Sequence, residues 1–503
     1  MTAAPLPPVF QGLEPAPVWA HFADLCRIPR PSKGETAIRA HLQAWAQGQG
    51  FETRVDEAGN LLIRKPATPG CAHFPGMVLQ GHLDMVCQKN NASAHDFNHD
   101  PIQPVLADGW LKAPETTLGA DNGLGVALAL AALEDPTLAH GPLEVLLTVD
   151  EEAGMGGARG LAPDLLQGRL MLNLDTEEWG EFYMGCAGGL DVTVDRPGQP
   201  QPLPAGHEVW RITLGGLRGG HSGVNIHEER GNAIKLLLRV LVELGHELPL
   251  YLVALEGGTA RNALPREAWA ELALPVGHGA WLAARLEALQ DCLASELKGI
   301  ETGLSLQAEL TQKQTQNQAQ NQAQAARILA PAEQALWLAS LHAAPHGVRR
   351  WSRAVPGVVE CSNNLGMVRL GPEAGHCNFM IRSLSDTSGP ALADEIVSLF
   401  ALSGTRALKG DAYPGWAPNP DSPLLALAQG VFAERFGEAS SVQVIHAGLE
   451  CGIIGATYPG MDMVSFGPTI RGAHAPGEGV EVASVGRCYT LLKAILEGVG
   501  RLG

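Results

Sequence analysis

No run of eighteen apolar residues occurs anywhere in this 503-residue chain, so no transmembrane helix is expected. The opening MTAAPLPPVFQ has neither a basic start nor an apolar core, which argues against a secretory signal. The nine cysteines form no CxxC pair and no regular framework. An odd, scattered set of this kind predicts reduced thiols and a cytoplasmic setting. Positive charge is scarce: 35 Lys and Arg face 53 Asp and Glu, a net charge of -18. With no compensating basic stripe, nucleic acid and anionic membrane are excluded as partners. Aromatic residues make up only 5%. Several catalytic signatures are missing as well. There is no GxxxxGK[ST] phosphate loop, no GxSxG elbow and no HExxH zinc helix. The glycine string Gly154–Gly160 misses the dinucleotide spacing because Arg159 takes the place of the third glycine.

What is present points to a layered α/β protein. The length predicts two or three domains, and 45% apolar residues with 60 glycines predict filled cores joined by glycine turns. Short apolar strands are expected at Met77–Gln80, Leu143–Val149 and Leu170–Leu174, with a buried helix over 122–134. Each strand is followed by polar residues, the pattern of a mainly parallel sheet flanked by helices, whose ligand crevice lies beyond the strand carboxyl ends. Near residue 190 the pattern changes to half-wet alternating strands with amphipathic helices at Asn232–Glu243 and Ala280–Glu296. The buried style returns after Tyr413. The expected organisation is therefore a catalytic domain in two segments, 1–188 and 414–503, with an inserted α+β domain at 189–413. Within the insertion, the Gln/Asn-rich tract 312–324 reads as a mobile surface segment.

Five side chains of metal-binding type lie in glycine-rich or strand-end settings: His82, Asp121, Glu152, Asp175 and His474. Each has an ordinary explanation alone. Asp121 opens a helix and could simply cap it, and His474 could be a loop histidine. The cluster Asp150-Glu151-Glu152 is harder to dismiss, because three acids directly after LEVLLTV repel one another unless a cation or solvent relieves them. Two imidazoles and three carboxylates suffice for two divalent cations if one carboxylate bridges. Glu151 then remains to move protons, and Asp84 can orient His82. His221, in LRGGHSGVN, is a candidate donor to a developing oxyanion.

Together GHLDMV, GADNG, DEEAGMGGARGL, LNLDTEE and RGGHSG resemble the di-zinc metallopeptidase superfamily of aminoacylases, carboxypeptidases and dipeptidases. GGTARNALPRE, YPGWAPNPDSP, HAGLECG and MDMVSFGPTIRGAHAPGE resemble its aminoacyl-histidine dipeptidase branch. The resemblance runs from the first helix to the last. It implies that His82, Asp121 and Asp175 hold one cation, and Asp121, Glu152 and His474 the other. It implies Glu151 as general base, Asp84 as the residue orienting His82, and a cis peptide at Asp121–Asn122. The insertion becomes a lid, with His221 as oxyanion donor and with Asn262 and Arg382 contacting the substrate backbone and its terminal carboxylate. The implied activity is hydrolysis of dipeptides, with preference for Xaa-His such as β-alanyl-histidine. Two divalent ions are implied as cofactors, Zn2+ first and Mn2+ or Co2+ as alternatives. A dipeptide is the implied partner, with homodimeric assembly. The competing readings are an N-acyl-amino-acid deacylase with the same metals and, from another class, a non-catalytic scaffold. An intact Glu151 argues against the scaffold.

Overall fold

A computed structural model describes residues 6–90, 92–312, 327–353 and 355–502. Residues 313–324 of the Gln/Asn-rich tract lie outside the described residues, while Gln312 ends a strand, Ser305–Gln312. The chain forms two compact units. The first comprises 1–186, 416–444 and 449–503; the second comprises 187–415 together with the short stretch 445–448.

An eight-stranded sheet organises the first unit, in the order Glu52–Val55, Leu61–Lys65, Leu143–Thr148, Met77–His82, Leu170–Asn173, Asp462–Ser465, Glu181–Cys186, Ser441–Ile445. Its four central strands are parallel, in register that aligns His82 with Thr148 and Asn173 with both Gln80 and Ser465. The strands beside them run antiparallel, so the sheet is mixed where the sequence pattern predicts a mainly parallel one. Only five residues separate Val55 from Leu61, too few for the crossover that a parallel pair requires. Strands Met77–His82 and Leu143–Thr148 are buried along their whole length. Leu79, Leu146 and Leu172 are fully buried, each stabilising the unit by roughly 1.5–3 kcal/mol. Helix Ala120–Glu134 is apolar on every side and nearly all buried, as expected of a central helix. Its close approach to the sheet depends on Gly125, where a Cβ would stand 2.1 Å from the Leu174 carbonyl oxygen. Regular helix begins only after Asp121 and Asn122, whose backbone is non-helical and whose shared peptide is cis.

The second unit is built on a nine-stranded antiparallel sheet. One hydrophobic core joins it to helices Ala233–Glu247, Gly279–Glu296, Pro331–Ala343 and Ser388–Leu402. The first of these is capped by Asn232, whose side chain accepts from the Lys235 amide. Among the described residues, no helix is long and apolar enough to cross a membrane.

Candidate metal centre

Adjacent parallel strands stop level with one another, and the residues just beyond them converge. His82 ends one strand, Glu151 and Glu152 follow Thr148 on the next, and Asp175 follows Asn173 on the third. The His82 Nε2 lies 3.2 Å from Asp121 Oδ1 and 3.4 Å from Asp175 Oδ1. The His474 Nε2 lies 3.2 Å from Asp121 Oδ2 and 3.2 Å from Glu152 Oε2. Asp121 thus turns one oxygen toward each imidazole. On the far side of His82, Nδ1 is 3.4 Å from Asp84 Oδ1. Asp84 is fully buried and accepts from Ser32 Oγ at 2.7 Å and from the amides of Glu151 and Glu152 at 3.0 and 3.1 Å. One aspartate therefore orients the histidine and also fixes the backbone that carries both glutamates.

The electrostatics follow from crowding acids in a buried place. Burial opposes a charged His82, but Asp175, Asp121 and Asp84 outweigh it and hold the imidazole well above its usual range. Bonds to Asp121 and Glu152 push His474 up to about 11. Burial raises Asp175 to about 6. It also raises Glu151 well above the carboxylate range, and Asp175, Glu152 and Glu450 add to the effect while His82 opposes it. The cluster is short of positive charge. Divalent cations fit it on two observations: ligand atoms of His82, Asp121 and Glu152 lie within 4.8 Å of one another, and Glu152 Oε1 is buried with no hydrogen-bond partner among the described residues.

A belt of buried polar side chains lies one pleat below. Gln80 Oε1 accepts from Asn173 Nδ2 at 2.5 Å, while Gln80 Nε2 donates to Glu450 Oε2 at 2.7 Å. Thr148 Oγ1 donates to the same Glu450 oxygen at 2.6 Å, and Ser465 Oγ bonds Asn173 Oδ1. The belt therefore ties all four parallel strands together. Asn122 links two of the strand ends, accepting from the His82 amide at 3.2 Å and donating to the Leu174 carbonyl at 2.5 Å. Sequence reasoning assigned no role to Gln80, Asn122, Glu450, Glu478 or Arg30. The one available signal was a charge in an apolar stretch, as with Glu450 ahead of CGII.

The remaining candidates lie in the second unit. His221 is on the two-residue strand Gly220–His221, paired with Ala263–Leu264. Asn262 is exposed in the turn before that partner strand, and its carbonyl accepts from the Ser222 amide at 2.8 Å. Buried Arg382 donates to Tyr413 Oη at 3.2 Å and to Ser222 Oγ at 3.4 Å. The Arg382 Nη2 also lies 3.2 Å from His221 Nε2. Since His221 Nδ1 accepts from the amides of Gly223 and Val224 at 3.2 and 3.1 Å, a neutral ring carries its proton on Nε2. Two donors therefore face one another, an arrangement that an anionic group would relieve.

Comparisons with known proteins agree with this architecture. A model described as peptidase family M20/M25/M40 matches residues 78–498. The cytosol non-specific dipeptidase of Escherichia coli (strain K12) is 44% identical over 487 residues, covering 97% of this chain and 98% of its own. The crystal structure of aminoacylhistidine dipeptidase from Vibrio alginolyticus superposes with a TM-score of 0.84 at 43% identity, covering 97% of each chain. Aminopeptidase PepT from Bacillus cereus shares the fold, with a TM-score of 0.55 at 17% identity, over 97% of this chain and 99% of its own. A family match that takes in most of the sheet, with relatives aligned along nearly the whole length, places the chain in peptidase family M20/M25/M40 as a metallopeptidase, hence a hydrolase.

Proposed function

We propose a two-cation mechanism, with preference for Xaa-His substrates such as β-alanyl-histidine, for this dipeptide hydrolase. The observation that carries the mechanism is the placement of Asp121, with its two oxygens 3.2 Å from different imidazoles. On this reading His82, Asp121 and Asp175 hold one cation, and Asp121, Glu152 and His474 hold the second. Zn2+ suits two imidazoles with carboxylates, and Mn2+ or Co2+ are the alternatives. Bound cations would supply an acidified water at neutral pH and polarise the scissile carbonyl.

The protein's own groups do the rest. Glu151 removes the proton from the attacking water and delivers it to the leaving amine. Its place in the chain directly before Glu152 sets it beside a proposed ligand, where one carboxylate can serve both proton transfers. Asp84 keeps His82 oriented with Nε2 toward the other ligands. His221 donates its Nε2 proton to the developing oxyanion. Arg382, a planar fork, takes the substrate's terminal carboxylate, and Asn262 takes its backbone. A carboxylate required so near the scissile bond would restrict cleavage to very short peptides. Residues 189–413 would act as the substrate-handling lid, in a cytoplasmic enzyme that assembles as a homodimer.

The test is metal analysis with a dipeptide panel, before and after chelation. We expect activity on β-alanyl-histidine to vanish with the metal and return with Zn2+, and N-acetyl-histidine to be a poor substrate. Faster turnover of the acetylated compound would replace the dipeptidase reading with a deacylase one.

A further inference from the structure

The loops that carry Asp121 and His474 are joined by one carboxylate that takes no part in the chemistry above. Glu478, only 2% exposed, accepts from four consecutive backbone amides. Its Oε2 accepts from Leu118 at 2.7 Å and Gly119 at 3.1 Å. Its Oε1 accepts from Ala120 at 2.8 Å and Asp121 at 3.3 Å. Successive amides can converge in this way because Gly119 adopts a left-handed φ of 70° at the start of the helix, forming a nest for an anion.

The same stretch is gripped from its carbonyl side. Arg30, 1% exposed, donates to the Gly119 carbonyl at 2.5 Å and to the carbonyls of Leu83 and Asp84 at 2.9 and 2.8 Å. Glu478 itself sits four residues after His474. A turn connects them, with the Ala475 amide bonded to Gly472 O at 3.1 Å and the Glu478 amide to Ala475 O at 3.2 Å. Further bonds tie that turn to the segment ahead of the nest. Gly477 donates to Ala113 O at 3.0 Å and to Thr116 O at 3.1 Å, and Ala113 donates to Glu478 O at 3.0 Å.

We propose that Glu478 is a positioning residue that locks the Asp121 and His474 loops into one body, so that the two cation positions load together. The proposal rests on reading Asp121 and His474 as ligands. If the loops shifted apart, Asp121 would still face His82, on a strand of the central sheet, but would lose its alignment with His474. Loss of Glu478 is therefore expected to weaken one cation position more than the other. A merely structural role would lower stability without that asymmetry.

The experiment strips the protein with chelator and titrates it with Zn2+ against a competing chromophoric chelator. In Glu478→Gln the volume is kept, but an NH2 group replaces an oxygen that accepts two amides. Wild type is expected to take up two equivalents at closely spaced affinities. The variant is expected to bind one equivalent nearly as tightly and the other about 10–100-fold more weakly. Excess Zn2+ should restore much of its activity. In parallel, hydrogen exchange over residues 116–122 of the wild-type protein reads the nest directly, and slow exchange at 118–121 is expected. Wild-type affinities in folded Glu478→Gln, or fast exchange at those amides, would overturn the proposal. Failure of wild type to bind Zn2+ would overturn the ligand reading and this proposal with it. Two wild-type equivalents with an unchanged variant would remove the role of Glu478 alone. Should the variant not fold, exchange in the wild-type protein decides.

Discussion

The histidines beside Asp121 in the first unit and two buried histidines of the second are pushed in opposite directions. In the first unit His82 and His474 sit among carboxylates that hold them charged, His474 up to about 11. In the second unit burial lowers His346 to about 4, helped by Lys235, and lowers His446 to about 3, helped by Arg382. The residue type is the same; the neighbours decide. The first unit gathers acids at the ends of its parallel strands, around two imidazoles. In the second unit Arg382 Nη2 lies 3.2 Å from His221 Nε2, a cationic side chain beside an imidazole.

The largest expected effect concerns the acid-rich half. Glu151→Gln should lower kcat by about 10²–10⁴-fold while metal content by elemental analysis stays near wild type. Loss of metal in this variant would make Glu151 a ligand and blur the distinction between the halves. His221→Ala should then lower kcat by about 10²–10³-fold, again with unchanged metal content. An effect on KM alone would assign His221 to substrate binding and leave the oxyanion without a protein donor.

A smaller effect sharpens the comparison from below. Glu450→Ala leaves Gln80 Nε2 and Thr148 Oγ1 without their shared acceptor, which costs about 1–3 kcal/mol of stability by denaturant unfolding. Glu450→Gln keeps an acceptor there and should cost much less. Equal losses would mean that the negative charge, rather than the hydrogen bonding, is what the belt requires.

A further prediction concerns pH. His446 takes up its proton near 6.5 when unfolded but only near 3 when folded, so between those values the unfolded state binds more protons. Its contribution is present above about 6.5 and is lost as the pH falls toward 3. His446→Gln should flatten the stability-versus-pH curve across that window. A curve of unchanged slope would show that His446 is not held neutral.

Much of the fold was legible because buried strands announce themselves. VLQ ahead of GHLD, LEVLLTV ahead of DEE and LMLNL ahead of DTEE are apolar runs that end in polar residues, and the parallel register sets those ends level. The antiparallel flanks were less legible, since a short apolar run does not disclose its direction. Candidate ligands could be nominated because several strand ends carry imidazoles or carboxylates at once, although each has an ordinary explanation alone. Their supports could not. Arg30 in IPRPS, Gln80 in VLQGH and Glu478 in APGEG have no periodicity, and the side chain of each acts through partners 53 or more residues away, as from Arg30 to the Leu83 carbonyl or from Gln80 to Glu450 across 370 residues.

The sequence by itself determined the family, the succession of strands and the chemical types gathered at their ends, because local apolar patterning and short motifs suffice for these. Only the tertiary structure decided which oxygen of Asp121 faces which imidazole, which proton His221 can offer, and how one carboxylate at 478 holds two loops together. Those outcomes depend on distances of about 3 Å between residues far apart in the chain, where hydrogen-bond energy falls steeply with geometry. No local pattern encodes them.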